Sequence, residues 1–368
     1  MNSSLTRFTI LLILIAIPIG SIPSLINIMI SVKTAFGDGL TQEQLTASMG
    51  NRKADLLIKL IPTVVTTETL GKGQKPIIEF RLFDSSTNQS FSHVKYYIIV
   101  EKNGKKLLYD LFHDHDGNLR IQVNPTNTDN VTISGEKTPL LGEWIGSPGK
   151  PVTISGPIFA TGGLYHFIVR IESVDTDNTL LPDNQEPIYD SWLSIGNTEN
   201  HQIEIDGTQV PIKIISYYDK LKDFGYDDKN MQMKLDMPFN WNISRLKNSN
   251  IFVHEEIYVP KPNAFTAKSG FSGTVNGINI SKNVVLDNTN PSTDVIHVML
   301  PKNDLISLAD KVDKDGNAIS GIMSFTVQPG EGSSTGTMGS MGSMGSMGSM
   351  GSKSNSNTSS SMAMGNMS

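Results

Sequence analysis

HVKYYIIVEKNGKKLLYDLFHDHDGNLRIQV, residues 93–123, decides the fold class. Three short runs within it, 93–102, 105–112 and 119–123, are rich in β-branched and aromatic side chains and are separated by Asn, Gly and Asp. Val, Ile, Tyr and Phe fit a pleated, half-buried surface, whereas Asn, Asp and Gly favour turns. The Asp-Gly step in DHDGN (114–118) predicts a hairpin joining the second and third runs.

The same texture extends in both directions. LLIKLIPTVVTT (56–67), KPIIEFRLFD (75–84) and YHFIVRIESV (165–174) are further strand candidates, and DSWLSIG (190–196) closes a first domain. In ATGGLYHFIV (160–169), Tyr165 lies two residues before Phe167, the place of a tyrosine corner in an immunoglobulin-like sandwich. A second series comprises HQIEIDG (201–207), VPIKIISYY (210–218), MQMKLDM (231–237), IFVHEEIYV (251–259), GTVNGINI (273–280), DVIHVML (294–300) and GIMSFTV (321–327). One short helix, 302–312, precedes DKDGN (313–317). Neither a long 3.6-residue periodicity nor a βαβ alternation is present. The expectation is therefore all-β: two tandem immunoglobulin-like β-sandwich domains, residues 55–199 and 200–328.

The ends differ from this body. After Arg7, residues 8–30 carry no charge over 23 positions, the length of a spanning helix rather than of a signal-peptide core. Pro18 and Pro23 interrupt the run, and Ala35-Phe36-Gly37 offers small residues for a signal peptidase. Residues 1–37 are thus a signal anchor or a cleaved signal peptide, and either one exports the body, to the outer face of the cell membrane or into the medium. Residues 38–54 (DGLTQEQLTASMGNRKA) read as a polar spacer.

Residues 329–368 contain the repeat MGSMGSMGSMGSMGS and, from Gly330 onward, only two formal side-chain charges, Glu331 and Lys353. With no aromatic or branched aliphatic side chain, this tail is expected to be disordered. Met338, Met341, Met344, Met347 and Met350 recur every third position, and Met362, Met364 and Met367 form M-x-M-x-x-M. Neutral, soft thioethers prefer Cu(I), and several on a flexible backbone can wrap one ion. The second cluster resembles the Mets motifs of copper importers and exported copper-resistance proteins. An inert repeat expanded by replication slippage, a passive spacer or an oxidisable decoy accounts for the uniform units equally well.

Composition narrows the function classes. A net charge of −6 without a Lys/Arg cluster argues against nucleic acid. The absence of cysteine removes thiol nucleophiles, Cys-ligated zinc, iron–sulfur clusters and the cysteine of a blue-copper site. No P-loop, GxGxxG, GxSxG or HExxH occurs, so a non-enzymatic protein is expected.

The densest polar cluster is His113-Asp114-His115-Asp116. On an extended strand His113 and His115 share a face about 7 Å apart and can hold Cu(II), Zn(II) or Ni(II) if a third ligand arrives from elsewhere. A solvated hairpin tip is the alternative. In DHDGN and DKDGN the Gly follows the second Asp directly, which fails the EF-hand register and leaves turn chemistry. His254 and Glu256 alternate onto one strand face with Phe252 and Tyr258, a base and its orienter or a solvent-face ion pair. His93, His166, His201 and His297 are scattered and read as structural or surface residues. Asn88, Asn130, Asn242, Asn357 and Asn366 head glycosylation sequons that export would make usable, and Asn279 is disfavoured if its strand is buried.

The stretches GGLYHF (162–167), DSWLS (190–194), SYYDKLKDF (216–224), MPFNW (237–241) and IFVHEEIYVPK (251–261) resemble a group of uncharacterised exported, membrane-anchored proteins of ammonia-oxidising archaea. The likeness covers roughly residues 50–320 and brings no activity or site residue with it. It implies an extracytoplasmic, membrane-associated life in organisms whose energy metabolism is heavily copper-dependent. Together these readings predict a copper-binding or copper-handling protein, or a structural or adhesion protein of the cell envelope with an envelope partner.

Overall fold

The computed structural model describes residues 40–330, apart from 140, 148, 178, 263–264, 266–269 and 315–320. The apolar run 8–30 and all eight tail methionines singled out above lie outside the described residues, as do Asn357 and Asn366. Among the described residues no helix is long and apolar enough to cross a membrane.

The described residues are mostly β, in four sheets around two apolar cores. The first sheet runs β1 (Gln42–Met49), β2 (Arg52–Ile61), β3 (Ile77–Asp84), β6 (Asn118–Pro125), β10 (Val152–Gly156), β7 (Thr132–Ser134). The second runs β12 (Ile188–Ile195), β11 (Gly163–Ser173), β4 (Val94–Lys102), β5 (Lys105–Asp114), β9 (Trp144–Gly146), β8 (Glu136–Lys137). Alternate residues of each strand point inward. Leu56, Ile58 and Leu60 of β2 and Phe80 and Leu82 of β3 thereby share one core with Tyr96 and Ile98 of β4 and Phe167 and Val169 of β11. At about 1.5–3 kcal/mol for each fully buried large apolar side chain, this period-two pattern dominates the stability of the half.

The other half repeats the plan. A third sheet runs β13 (Asn197–Ile205), β14 (Thr208–Ser216), β17 (Val253–Pro260), β21 (Thr293–Leu300), β20 (Val284–Asp287). A fourth runs β15 (Asp223–Asp227), β16 (Gln232–Pro238), β22 (Ile322–Pro329), β18 (Phe271–Val275), β19 (Ile278–Asn279). Ile214, Ile257 and Val298 meet Met233, Leu235 and Phe325 between them. Of the three α-helices among the described residues, α1 (Thr67–Gly71) contacts β13. The other two, α2 (Ile243–Asn248) and α3 (Lys302–Lys314), pack together and add Leu246, Leu305 and Leu308 to the second core.

The step between halves falls at Gly196, where a side chain would sit 2.6 Å from Ile215 Cγ2 and 3.0 Å from the Tyr217 ring. The halves belong to one compact unit. Glu43 joins them: its Oε2 accepts hydrogen bonds from Ser191 Oγ (2.8 Å) and Trp192 N (2.7 Å), and its Oε1 accepts from Asn250 Nδ2.

Two sequence expectations fail here for visible reasons. Residues 42–49, inside the stretch read as a polar spacer, are β1, paired with β2 from Gln42↔Lys59 to Met49↔Arg52. Their polar side chains hide a strand whose anchors are the backbone ladder and the buried Glu43 carboxylate. DHDGN is not a hairpin: β5 pairs with β4, whereas β6 lies in the opposite sheet. Asp114 Oδ1 accepts from the amides of Asp116 (2.8 Å) and Asn118 (2.7 Å), folding the segment into a crossover. Gly117, with φ +67°, presses so closely on Phe91 that a Cβ would lie 2.0 Å from its carbonyl oxygen. The hairpin turn is instead Asn103-Gly104, with φ +50° and +77° and Lys102 opposite Lys105, the type I′ geometry that matches strand twist.

Candidate metal centre

His113 is near the end of β5, on the face opposite the core residue Phe112, and its cross-strand neighbour in β4 is Lys95. The pairing continues past the strand ends: the His93 amide donates to the His115 carbonyl (3.0 Å), so these two residues also stand opposite each other. His93, Lys95, His113 and His115 therefore share one face.

A β-bulge makes this possible. The ladder shifts between Val100 and Glu101, leaving Leu107 of β5 without an opposite residue. A regular ladder from the Asn103-Gly104 turn would set Asp114, not His115, across from His93. Bulges re-aim side chains in this way next to functional sites. His93 itself has φ +50°, a left-handed conformation uncommon for a residue with a side chain.

The loop after β11 supplies a carboxylate. Asp177 Oδ1 lies 2.6 Å from His93 Nδ1 and 3.0 Å from His113 Nε2, and the Nδ1 atoms of His93 and His115 are 3.3 Å apart. One ligand atom from each of the four residues lies within 4.8 Å of every other. The His113 side chain is only 4% exposed, whereas Asp177 is 43% and His93 38% exposed, so the cluster opens to solvent on one side. Behind it, Glu143 Oε2 stands 3.6 Å from His113 Nδ1, and Glu143 Oε1 pairs with Lys95 Nζ at 2.7 Å. The buried Nε2 of His113 faces Asp177 Oδ1 at 3.0 Å without a well-aligned hydrogen bond.

Electrostatics keep the donors available. Burial lowers the His113 pKa, and the neighbouring His115 and Lys95 act in the same direction against Asp177 and Glu143. Burial would raise Asp177, but the His93 hydrogen bond and three nearby imidazoles outweigh it and hold the carboxyl below its ordinary range. A neutral imidazole nitrogen, two further imidazoles and an ionised carboxylate form an N₃O donor set suited to Cu(II) or Zn(II). A carboxylate behind a ligating histidine is the usual device for orienting the ring and raising its basicity.

The shared face of His113 and His115 is as the sequence predicts, with ring centroids 4.7 Å apart. Their setting is not a solvated hairpin tip, and His93 is no scattered surface residue. Glu143 and Asp177 carry no sequence signal, because only the fold brings loops 28 or more residues distant in the chain onto this face.

A second cluster has another character. Glu256 of β17 lies directly opposite His297 of β21, with His254 two residues away on the same face. His254 Nε2 is 3.1 Å from His297 Nδ1, and Glu256 Oε1 is 3.7 Å and 3.4 Å from those two atoms. The predicted solvent-face ion pair is incorrect: the three side chains are 4%, 1% and 8% exposed. The Tyr217 ring stacks on His254 with centroids 5.3 Å apart. Burial, opposed by the Glu256 carboxylate and aided by His297, takes the His254 pKa down to about 4.

The remaining histidines pack against rings: His166 stacks on Trp192 (4.2 Å) and His201 lies against Phe224 (4.3 Å). Asn88, Asn130 and Asn242 are exposed, and so is Asn279, which removes the reason for disfavouring it. Asn242 also N-caps α2, its Oδ1 accepting from the Arg245 amide at 2.9 Å. Comparisons of the chain with protein-family models, curated proteins and solved structures find no match.

Proposed function

We propose that this chain is an exported, membrane-anchored or secreted, non-enzymatic protein that binds and handles copper. In this reading the His93/His113/His115/Asp177 centre holds Cu(II), and the Met-rich tail captures Cu(I). The observation that carries it is the convergence of three imidazoles and a carboxylate, with Asp177 Oδ1 3.0 Å from the buried His113 Nε2 and Glu143 behind the ring. Late in the divalent series Cu(II) binds nitrogen–oxygen donors most tightly, and thioethers select Cu(I). Copper is the one metal common to both donor sets. The 23-residue uncharged N-terminal run and the resemblance to exported archaeal proteins support an extracytoplasmic setting.

Paired titrations test this. The full chain and a version ending at residue 332 are titrated anaerobically with Cu(I) against a chelator, and the shorter chain should bind less. Equal binding removes the tail from the reading. Cu(II) titration of wild type and a His113→Ala/His115→Ala variant should show at least a roughly hundredfold loss of affinity and loss of the imidazole pattern in electron paramagnetic resonance. An unchanged spectrum makes the centre a polar surface cluster.

A second reading is an envelope spacer or adhesion protein with immunoglobulin-like domains. It is favoured by the Tyr165 hydroxyl, which donates to the Thr161 carbonyl four residues upstream (2.8 Å), as a tyrosine corner does. Retention in the envelope fraction that persists in both the truncated and the His-substituted chains would favour this second reading.

A further inference from the structure

We propose that His254, Glu256 and His297 form a second metal site, closed to solvent, which takes a structural divalent ion of the Zn(II) class. Nitrogen and oxygen ligands about 2.0–2.2 Å from a tetrahedral zinc stand roughly 3.3–3.6 Å from one another. The three facing atoms here form a triangle with sides of 3.1, 3.4 and 3.7 Å. One side falls within that span and the other two within about 0.2 Å of it, before any ion draws the ligands in.

The ligands are held by the sheet rather than by loops. Glu256 and His297 are direct cross-strand partners, and His254 is one pleat repeat away on the same strand as Glu256. The Tyr258 hydroxyl donates to Glu256 Oε2 at 2.8 Å, and the Tyr217 hydroxyl faces the same oxygen at 3.4 Å. These contacts orient the carboxylate so that Oε1 is turned toward both imidazoles, the supporting shell expected around a metal ligand.

Two imidazoles and one carboxylate, without thioether or thiolate, suit Zn(II) better than Cu(I). Three protein ligands leave one coordination position, and the near-complete burial of all three side chains restricts it to a group as small as water. Such a site ties β17 to β21 in the centre of the third sheet and does not exchange its ion.

The test uses the full chain carrying His113→Ala/His115→Ala, so that the open centre is absent and the outcome is independent of the copper reading. Protein produced in zinc-supplemented medium is dialysed against a chelator, and its metal content is measured before and after unfolding in guanidinium. About one Zn(II) per chain, released only on unfolding, is expected. A metal-free folded protein overturns the proposal, whatever the variants below show. Adding Glu256→Gln, which preserves volume, should reduce retained Zn(II) at least tenfold with an unchanged far-ultraviolet dichroism spectrum. Full retention in a folded Glu256→Gln chain also overturns it.

Discussion

His113 and His254 both project from the outward face of a central strand, and each side chain is only 4% exposed. Around His113 the partners come from a strand entry, a strand exit and a loop, and all three, His93, His115 and Asp177, are more than one-third exposed. Around His254 the partners lie on two adjacent strands of a regular ladder and are at most 8% exposed. The first cluster is open to solvent on one side. The second is closed to solvent. The same side-chain types thus differ in solvent access through their position: loops and strand ends lie at the surface, whereas adjacent strands of a ladder are covered by neighbouring elements.

The strongest way to break this contrast is at Gly117. Gly117→Ala places a Cβ 2.0 Å from the Phe91 carbonyl at φ +67° and so displaces the crossover that carries His115. A loss of about 3–5 kcal/mol in urea unfolding is expected, together with weakened Cu(II) binding. Proton resonances of the sealed His254 ring should stay in place under native conditions. If they move as much as those of His115, the two clusters are not independent.

A smaller perturbation sharpens the description of the open centre. Glu143→Gln retains the shape and an acceptor for Lys95 but removes the carboxylate behind His113. Cu(II) affinity should fall roughly 10–100-fold, about 1.4–2.7 kcal/mol, in competition with a chelator. Unchanged affinity would mean that His113 needs no such support.

The smallest effect concerns the closed region. Glu255, beside the sealed cluster, accepts a hydrogen bond from Ser216 Oγ. Burial raises its pKa well above 4.5 against the opposing Ser216 hydrogen bond, and the nearby Glu199, Glu256 and Asp219 carboxylates add to the rise. The folded chain then holds a proton that the unfolded chain releases, so this group's stabilising contribution is full below 4.5 and declines as pH rises above it. Glu255→Gln should flatten that decline, by on the order of 1 kcal/mol between mildly acidic and mildly alkaline unfolding curves. Parallel curves for both proteins would show that Glu255 is not sealed.

The strand pattern was largely legible. Runs such as YHFIVRIESV and GIMSFTV reappear in β11 and β22 because period-two burial of large side chains leaves a direct trace in sequence. Short or polar strands left no such trace. β1 is held by its ladder and by Glu43, and β7, β8 and β9 span only two or three residues each. Half of the open centre was legible too: strand alternation alone puts His113 and His115 together. Its other half depends on chain segments brought together only in the folded state.

What the amino-acid sequence determined by itself is local: β-rich texture, the shared face of His113 and His115, and a soft Met-rich tail with only two charged side chains from Gly330 onward. Register and partnership belong to the tertiary structure. One extra residue, Leu107, shifts the β4–β5 ladder so that His93 meets His115, and the crossover at Asp114–Asn118 sends β6 to the opposite sheet where sequence predicts a hairpin. A one-residue slip changes little in local propensity but moves every side chain to a different neighbour, so only the packing of the two sheets could decide which histidines meet.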